Sequence, residues 1–291
     1  MRLLTFFFFA YLAIHVSGAE VSFNGLEQAR AERVRRLTAA DGWLTLIGLH
    51  WLSLGENTVG SASDNTLRLA AGPTHFACVN LGLDGQVTVR LVDEVVATIQ
   101  GQTERTGELS YGTAQPTIVA SGTVSFFVIK RGDKIGLRVK DSAATPRREF
   151  AGLDYFPVDA SWRIEAQWVA FTEPRQVPIT NKLGQTAPAL VPGKAVFKRE
   201  GLTYELLPID EGPGEPLFFV ISDETSDKET YAAARFLYVE RPREGKIVLD
   251  FNRAENPPCA FTPFATCPLP PPENRLAVRI AVGEKNYRGA H

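Results

Sequence analysis

Hydrophobic positions along the chain fall into three regimes. Residues 3–16 form an uncharged apolar run, preceded by Arg2 and followed by Ser17, Gly18 and Ala19. A positive start, an apolar stretch too short to span a bilayer and small residues before a cut after Ala19 predict a cleaved export signal. The mature chain is therefore expected to be secreted or periplasmic, with residues 20–291 as one globular domain. Next, residues 25–37 (GLEQARAERVRRL) place Leu26, Ala29, Val34 and Leu37 at near-helical spacing. This predicts a helix with Asn24 available as N-cap, packed across one end of a sheet with its charged face in water.

From Gly42 onward the pattern changes to short apolar runs broken by Gly, Asn, Asp and Pro. Strands are predicted at 43–54, 66–69, 86–91, 95–99, 124–129, 135–139, 163–171, 195–197, 202–208, 217–221 and 247–251. The tetrapeptides LDGQ at 83–86 and RGDK at 131–134 read as turns, the second joining two Val- and Ile-rich strands into a hairpin. Short strands without intervening helical periods imply an α+β fold, predominantly antiparallel β as a sandwich or roll, with an N-terminal helix and a long proline-rich C-terminal loop. Residues 172–193 contain four prolines and predict a crossover between two β layers or subdomains. No repeat of 20–50 residues is visible, which argues against propellers and solenoids.

Composition refines this picture. An apolar content of 44% suffices for a packed core, and 31 basic against 33 acidic residues remove the basic excess typical of nucleic-acid partners. No later run is long and apolar enough to span a bilayer, so no integral membrane segment is expected after cleavage. The chain lacks G-x-S-x-G, the phosphate-binding G-x-x-x-x-G-K-[ST], G-x-G-x-x-G, H-E-x-x-H and any calcium-loop pattern, so no cofactor and no metal is assigned. His50 sits in the apolar run LIGLHWLSL and His75 after a Gly-Pro turn, settings that suit packing better than catalysis. N-x-[ST] sequons are absent.

The informative stretch is residues 250–276, DFNRAENPPCAFTPFATCPLPPPENRL. Seven of the 19 prolines fall between Asn256 and Arg275, fixing backbone φ repeatedly and stiffening a loop that can hold side chains in place. Within it, Cys259 and Cys267 enclose a short loop. In an oxidising compartment a disulfide is the simplest reading, worth roughly 2–3 kcal/mol. Two free thiols or a metal pair are the alternatives, and Cys78 would be the odd, buried thiol.

These segments carry a resemblance. DFNRAENPPCAF, CPLPPPENRL and the upstream DETSDKETYAAARFLYV closely resemble the domain of unknown function 1684 family. So do DGWLTLIGLHWLSLGENTVGS, RGDKIGLRVKD and REFAGLDYFPVDASWRIEAQW, extending the resemblance over about residues 30–285. The resemblance implies no activity, the family being named for lacking one. Its pattern TSG-x-ETYG-x-GRF has Gly where this chain has Asp227, Ala232 and Ala234, and Tyr where it has Glu255. Those departures imply a local backbone without positive φ at the three former glycines.

Ser226-x-x-Glu229 could cap a helix running through TYAAARF, but a loop leading into a strand at 234–239 suits the family's glycines better. Two functions from different classes follow. The first is a binding module for a small polar or anionic ligand, its candidate contacts being Arg138, Asp141, Arg235, Asn252, Arg253, Asn274 and Arg275, in which arginine forks grip an anion. The second is a hydrolase using paired carboxylates, its candidates being Asp141, Asp223, Glu229, Asp250 and Glu273, with Tyr231 or an arginine stabilising charge. The hydrolase requires at least two of these carboxylates to converge in one cleft with Tyr231 or Arg235.

Overall fold

A computed structural model describes residues 23–113 and 115–289, and the expected export signal lies outside them. Helix α1 (Phe23–Thr38) starts earlier than its apolar spacing predicts, so Asn24 lies inside the helix instead of capping it. It buries Leu26 and Leu37, and a 3-10 turn at Trp43–Thr45 then leads into β1 (Leu46–Trp51). The strands that follow are β2 (Gly55–Gly60), β3 (Leu67–Arg68), β4 (Ala77–Leu81), β5 (Val87–Leu91), β6 (Thr98–Ile99), β7 (Thr106–Glu108), β8 (Ile118–Ser121), β9 (Val124–Arg131) and β10 (Lys134–Asp141).

They form two sheets, in the orders β1-β10-β9-β8-β6 and β3-β2-β4-β5-β7, antiparallel throughout except for the β2–β3 pair. Alternation explains the packing. In β9 the side chains of Val124, Phe126 and Val128 point inward, and in β5 those of Val87, Val89 and Leu91 do, so the two inner faces share one core. Phe76 and Phe126 meet there edge to face at 5.2 Å. The expected hairpin forms between β9 and β10 around Gly132 (φ +59°), and the turn expected at 83–86 joins β4 to β5 around Gly85 (φ +85°).

After a short α2 (Thr145–Arg148), a second core is built from β11 (Arg163–Thr180), β12 (Thr186–Arg199), β13 (Leu202–Leu206), β14 (Leu217–Ile221), β15 (Arg235–Val239) and β16 (Lys246–Asp250). Four of these strands form a sheet ordered β13-β12-β11-β16, and β14 pairs with β15. All five residues of β14 are buried because it has apolar neighbours on both faces. Leu217, Phe219 and Ile221 enter the second core, while Phe218 and Val220 join a smaller cluster with Phe236, Cys259 and Cys267.

Residues 172–193 do not cross between layers. They are the distal arms of the β11–β12 hairpin, in which Pro178 and Pro188 stand directly opposite each other. Placing two residues without N–H groups on one rung leaves the adjoining rungs their donors, and the shift of register between Ala170 and Arg175 accommodates Pro174. The tip of this hairpin holds the proline-rich loop, since Leu269 N donates to Thr180 O at 2.8 Å and Lys182 N to Cys267 O at 3.0 Å. The segment before β15 is a loop, as the family's glycines implied, but Asp227 has φ +66°, contrary to that expectation. An Asp tolerates the left-handed region better than most residues, so the backbone can keep a glycine-type shape without the glycine. Ala232 and Ala234 keep negative φ. No helix among the described residues is long and apolar enough to cross a membrane.

Candidate functional site

The carboxylates expected to act together have different surroundings. Asp223 is buried and accepts from Arg235 Nη2 at 3.0 Å, from the Thr225 hydroxyl and from Ile280 N, which makes it a structural anchor. Glu229 forms a surface fork with Arg279 at 3.1 and 2.7 Å. Asp250 caps the turn at Asn252 N and lies 3.6 Å from Arg253, Asp141 accepts from Ala143 N at 2.8 Å, and Glu273 is exposed. The Tyr231 hydroxyl donates to Cys259 O and accepts from Lys182 Nζ, both at 3.0 Å. Asn274 spends its amide on Leu207 and Val220 backbone groups, while Arg275 is exposed and reaches Pro270 O at 3.4 Å. None of the five principal cavities among the described residues is lined by two of these carboxylates together with Tyr231 or Arg235.

Arg138 behaves differently. Along β10, Leu137 and Val139 face the first core, so Arg138 and Lys140 project from the opposite face, toward α1 and the C-terminal half. Arg138 is 6% exposed, and its guanidinium lies over the Trp43 ring at 5.1 Å. Among the described residues it forms no ion pair, and its buried Nε has no hydrogen-bond partner. Burial, reinforced by repulsion from Arg131, lowers its pKa to about 10.

The cleft it lines has a volume of about 490 Å³, and its walls include Arg33, Arg36, Trp43, Lys140, Tyr238 and Glu255. A cavity of about 160 Å³ adjoins it, sharing Arg33, Arg36, Tyr238 and Glu255 and adding Tyr155, Asn252 and Arg253. The α1 arginines reach these walls because Arg30, Arg33 and Arg36 recur every three residues along one helix face. That face is not solvated as expected. Arg33 is buried and bonds Glu284 at 2.9 Å, Glu255 at 3.3 Å and Asn256 O at 2.6 Å, and Arg36 reaches Glu255 at 3.2 Å. Burial holds the Glu255 carboxyl above its usual range despite both arginines.

Beside this cleft lie the two cysteines, with free thiols. Each sulfur accepts the other residue's backbone N–H, at 3.2 and 3.3 Å. A hydrogen bond from the Cys267 thiol, joined by the Cys267 N–H and the charges of Lys182 and Arg138, lowers the Cys259 thiol to about 7 against its burial. The same contact and burial push Cys267 up. Cys78, expected to be buried, is half-buried.

Residues 148–285 match the family model described as protein of unknown function (DUF1684). That segment is a DUF1684 domain. No curated protein matches the chain. Among solved structures, an uncharacterized protein of Haloarcula marismortui is 30% identical over 48% of this chain and 78% of its own, with a TM-score of 0.41. The forkhead-associated (FHA) domain of a Chlamydia trachomatis protein is 18% identical over 32% of this chain and 94% of its own, with a TM-score of 0.23. Rad53 bound to AMP-PNP is 14% identical over 61% of this chain and 39% of its own, with a TM-score of 0.21.

The cleft is a composite with respect to the DUF1684 domain. Tyr238, Glu255 and Pro258 come from the matched segment, whereas Arg33, Arg36, Trp43, Arg138 and Lys140 precede it. Of the residues proposed from sequence, only Arg138, Asn252 and Arg253 line the paired cavities. The three-residue arginine spacing in α1 was the available signal for Arg33 and Arg36. Glu284, far along the chain in an irregular segment, carried none.

Proposed function

We propose that this chain binds a small anionic molecule in the cleft between α1, β10 and β15, with Arg138 as the principal anion contact. One observation carries the reading: Arg138 is a buried guanidinium that, among the described residues, pairs with no carboxylate. Withdrawing a cation from water is costly unless something compensates it, and a ligand anion supplies that compensation with fork geometry. The cleft volume of about 490 Å³ is within the range of small-molecule sites. The residues around Arg138 divide the work. Trp43 supports the guanidinium from one ring face, Lys140 adds a second cation, and Glu255, held by Arg33 and Arg36, fixes the helix arginines against the opposite wall.

Export by the N-terminal signal and closure of Cys259 and Cys267 into a disulfide complete the proposal. The pairing proceeds by exchange with a small-molecule disulfide. The Cys259 thiolate attacks one sulfur and expels a thiol, then Cys267 displaces the second, so the pair loses two electrons and two protons and two small thiols are released. The opposed N–H···S bonds bring the two cysteines side by side for this step.

Calorimetric titration of the full-length chain with inorganic phosphate tests the anion site. Binding is expected for the native chain, and Arg138→Met, which keeps much of the stem volume, should weaken it by tenfold or more, as loss of about 1.5–3 kcal/mol of charged hydrogen bonding requires. Equal affinity in the native chain and a folded Arg138→Met variant would overturn the reading.

A further inference from the structure

We infer that the anion taken by this cleft is carried on an aromatic ring, as in an arene carboxylate. The inference rests on the anion-binding reading above and specifies the body of the ligand. Four aromatic side chains line the cleft: Trp43, Phe127, Phe236 and Tyr238. Two of them already hold its cations over their ring faces, Arg138 above Trp43 at 5.1 Å and Lys140 above Phe127 at 5.4 Å. A ring bearing a carboxylate would present its charge to these cations while its faces and edges meet the same aromatic walls.

The polar lining argues against a polyhydroxylated body. Such a ligand needs acceptors for its hydroxyl protons, and the carboxylates of the cleft are Asp41 and Glu255. Glu255 already accepts from Arg36 and lies in ion-pair contact with Arg33, and Leu37 and Pro258 add apolar surface beside it. What the walls offer in surplus is positive charge and aromatic surface. Both are used at once by a flat ring with one anionic substituent.

Three carboxylates of equal charge separate the contributions: acetate, cyclohexanecarboxylate and benzoate, titrated calorimetrically into the full-length chain. Benzoate is expected to bind about tenfold or more tightly than acetate and roughly fivefold more tightly than cyclohexanecarboxylate, which matches it in bulk but not in aromaticity. Trp43→Leu should bring benzoate to parity with cyclohexanecarboxylate while leaving acetate unchanged. Phe127→Leu provides the same comparison on another wall if the Trp43 variant fails to fold. Equal affinities for benzoate and cyclohexanecarboxylate in the native chain would overturn the aromatic assignment while phosphate binding through Arg138 still stood. Binding of none of the carboxylates and no phosphate, or binding indifferent to Arg138→Met, would remove both readings.

Discussion

Arg235, inside the C-terminal core, and Arg138, behind the N-terminal sandwich, are both withdrawn from water, yet the protein answers only one of them. Arg235 is 1% exposed and meets the Asp223 carboxylate at 3.0 Å together with the carbonyls of Ile280 and Val282. Asp223 in turn accepts from Thr225 and Ile280, so the charge of Arg235 is answered within the fold, and the carboxylate is what sets it apart, because the buried Nε atoms of both arginines lack a hydrogen-bond partner. Arg138 has an indole face on one side and a cleft on the other, and among the described residues no carboxylate pairs with it. A buried arginine therefore does not by itself mark a site. What separates an anchor from a binding group is whether its partners come from the same chain.

The sharpest way to break this contrast is to remove the partner that Arg235 has and Arg138 lacks. Asp223→Ala leaves an uncompensated guanidinium in the core and is expected to cost about 3–5 kcal/mol, lowering the midpoint of thermal unfolding by roughly 10 °C. Adding Arg235→Met to that variant should restore much of the loss, because the stranded charge is gone. Arg138→Met should instead leave stability unchanged or raise it by about 1 kcal/mol, since a desolvated cation without a partner is deleted. Circular dichroism melts of the four chains measure all of this. A large destabilisation by Arg138→Met would mean that its charge is satisfied within the fold after all, and the contrast would vanish.

The same contrast shows what the amino-acid pattern could reveal. The antiparallel architecture, the helix, the β9–β10 hairpin and the turn at 83–86 follow from local alternation and turn chemistry, so they were legible. Strand β2 (GENTVG) was missed because its polar residues hide its alternation, and β4 was missed because a half-buried Cys78 and an exposed Asn80 interrupt a short run. The hairpin arms at 172–193 were misread because four prolines argue against strand, a penalty the structure avoids by setting two of them opposite each other. Asp223 and Arg235 attracted notice as chemistry-bearing residues, but sequence does not show that they pair with each other. Arg138 was identified as a fork donor on composition alone. Its lack of a carboxylate partner among the described residues depends on elements distant along the chain, and so do the approach of Arg33 to Glu284, 251 positions away, and the closure of the cleft.

A smaller effect tests whether the thiol pair and the Arg138 cleft sense each other. The groups facing Cys259 are Cys267, Lys182 and Arg138, and in the reduced chain its thiol titrates at about 7. Because that value is depressed from the ordinary thiol range, the thiolate and the stability it brings are fully present above about pH 9 and are lost as pH falls through about 7. Above that point the thiolate is a resident anion near Arg138 and competes electrostatically with a ligand. Benzoate stays ionised throughout, so its affinity for the reduced chain should fall by about fivefold between roughly pH 6 and 8, equivalent to about 1 kcal/mol for one partly screened charge. Cys259→Ser, or oxidation that lowers the free-thiol count from three to one, should flatten the profile. A profile that stays steep in Cys259→Ser would assign the effect to another group. A free-thiol count of three after exposure to excess oxidised glutathione would remove the disulfide from the proposal.

The smallest expected effect concerns Glu229, which the sequence offered as a catalytic carboxylate and the fold places in a surface fork with Arg279. Their side chains are 39% and 55% exposed, so water screens the pair and already solvates much of each charge. Glu229→Gln should therefore change stability by no more than about 0.5 kcal/mol and leave benzoate and phosphate affinities unaltered. A denaturant melt paired with one titration decides the matter. Because Glu229 lines neither of the paired cavities, a loss of binding in a variant of native stability could not arise from the cleft built around Arg138. The contrast between the two arginines would then have identified the wrong half of the molecule, and the carboxylates of the C-terminal loops would return as the place to look for chemistry.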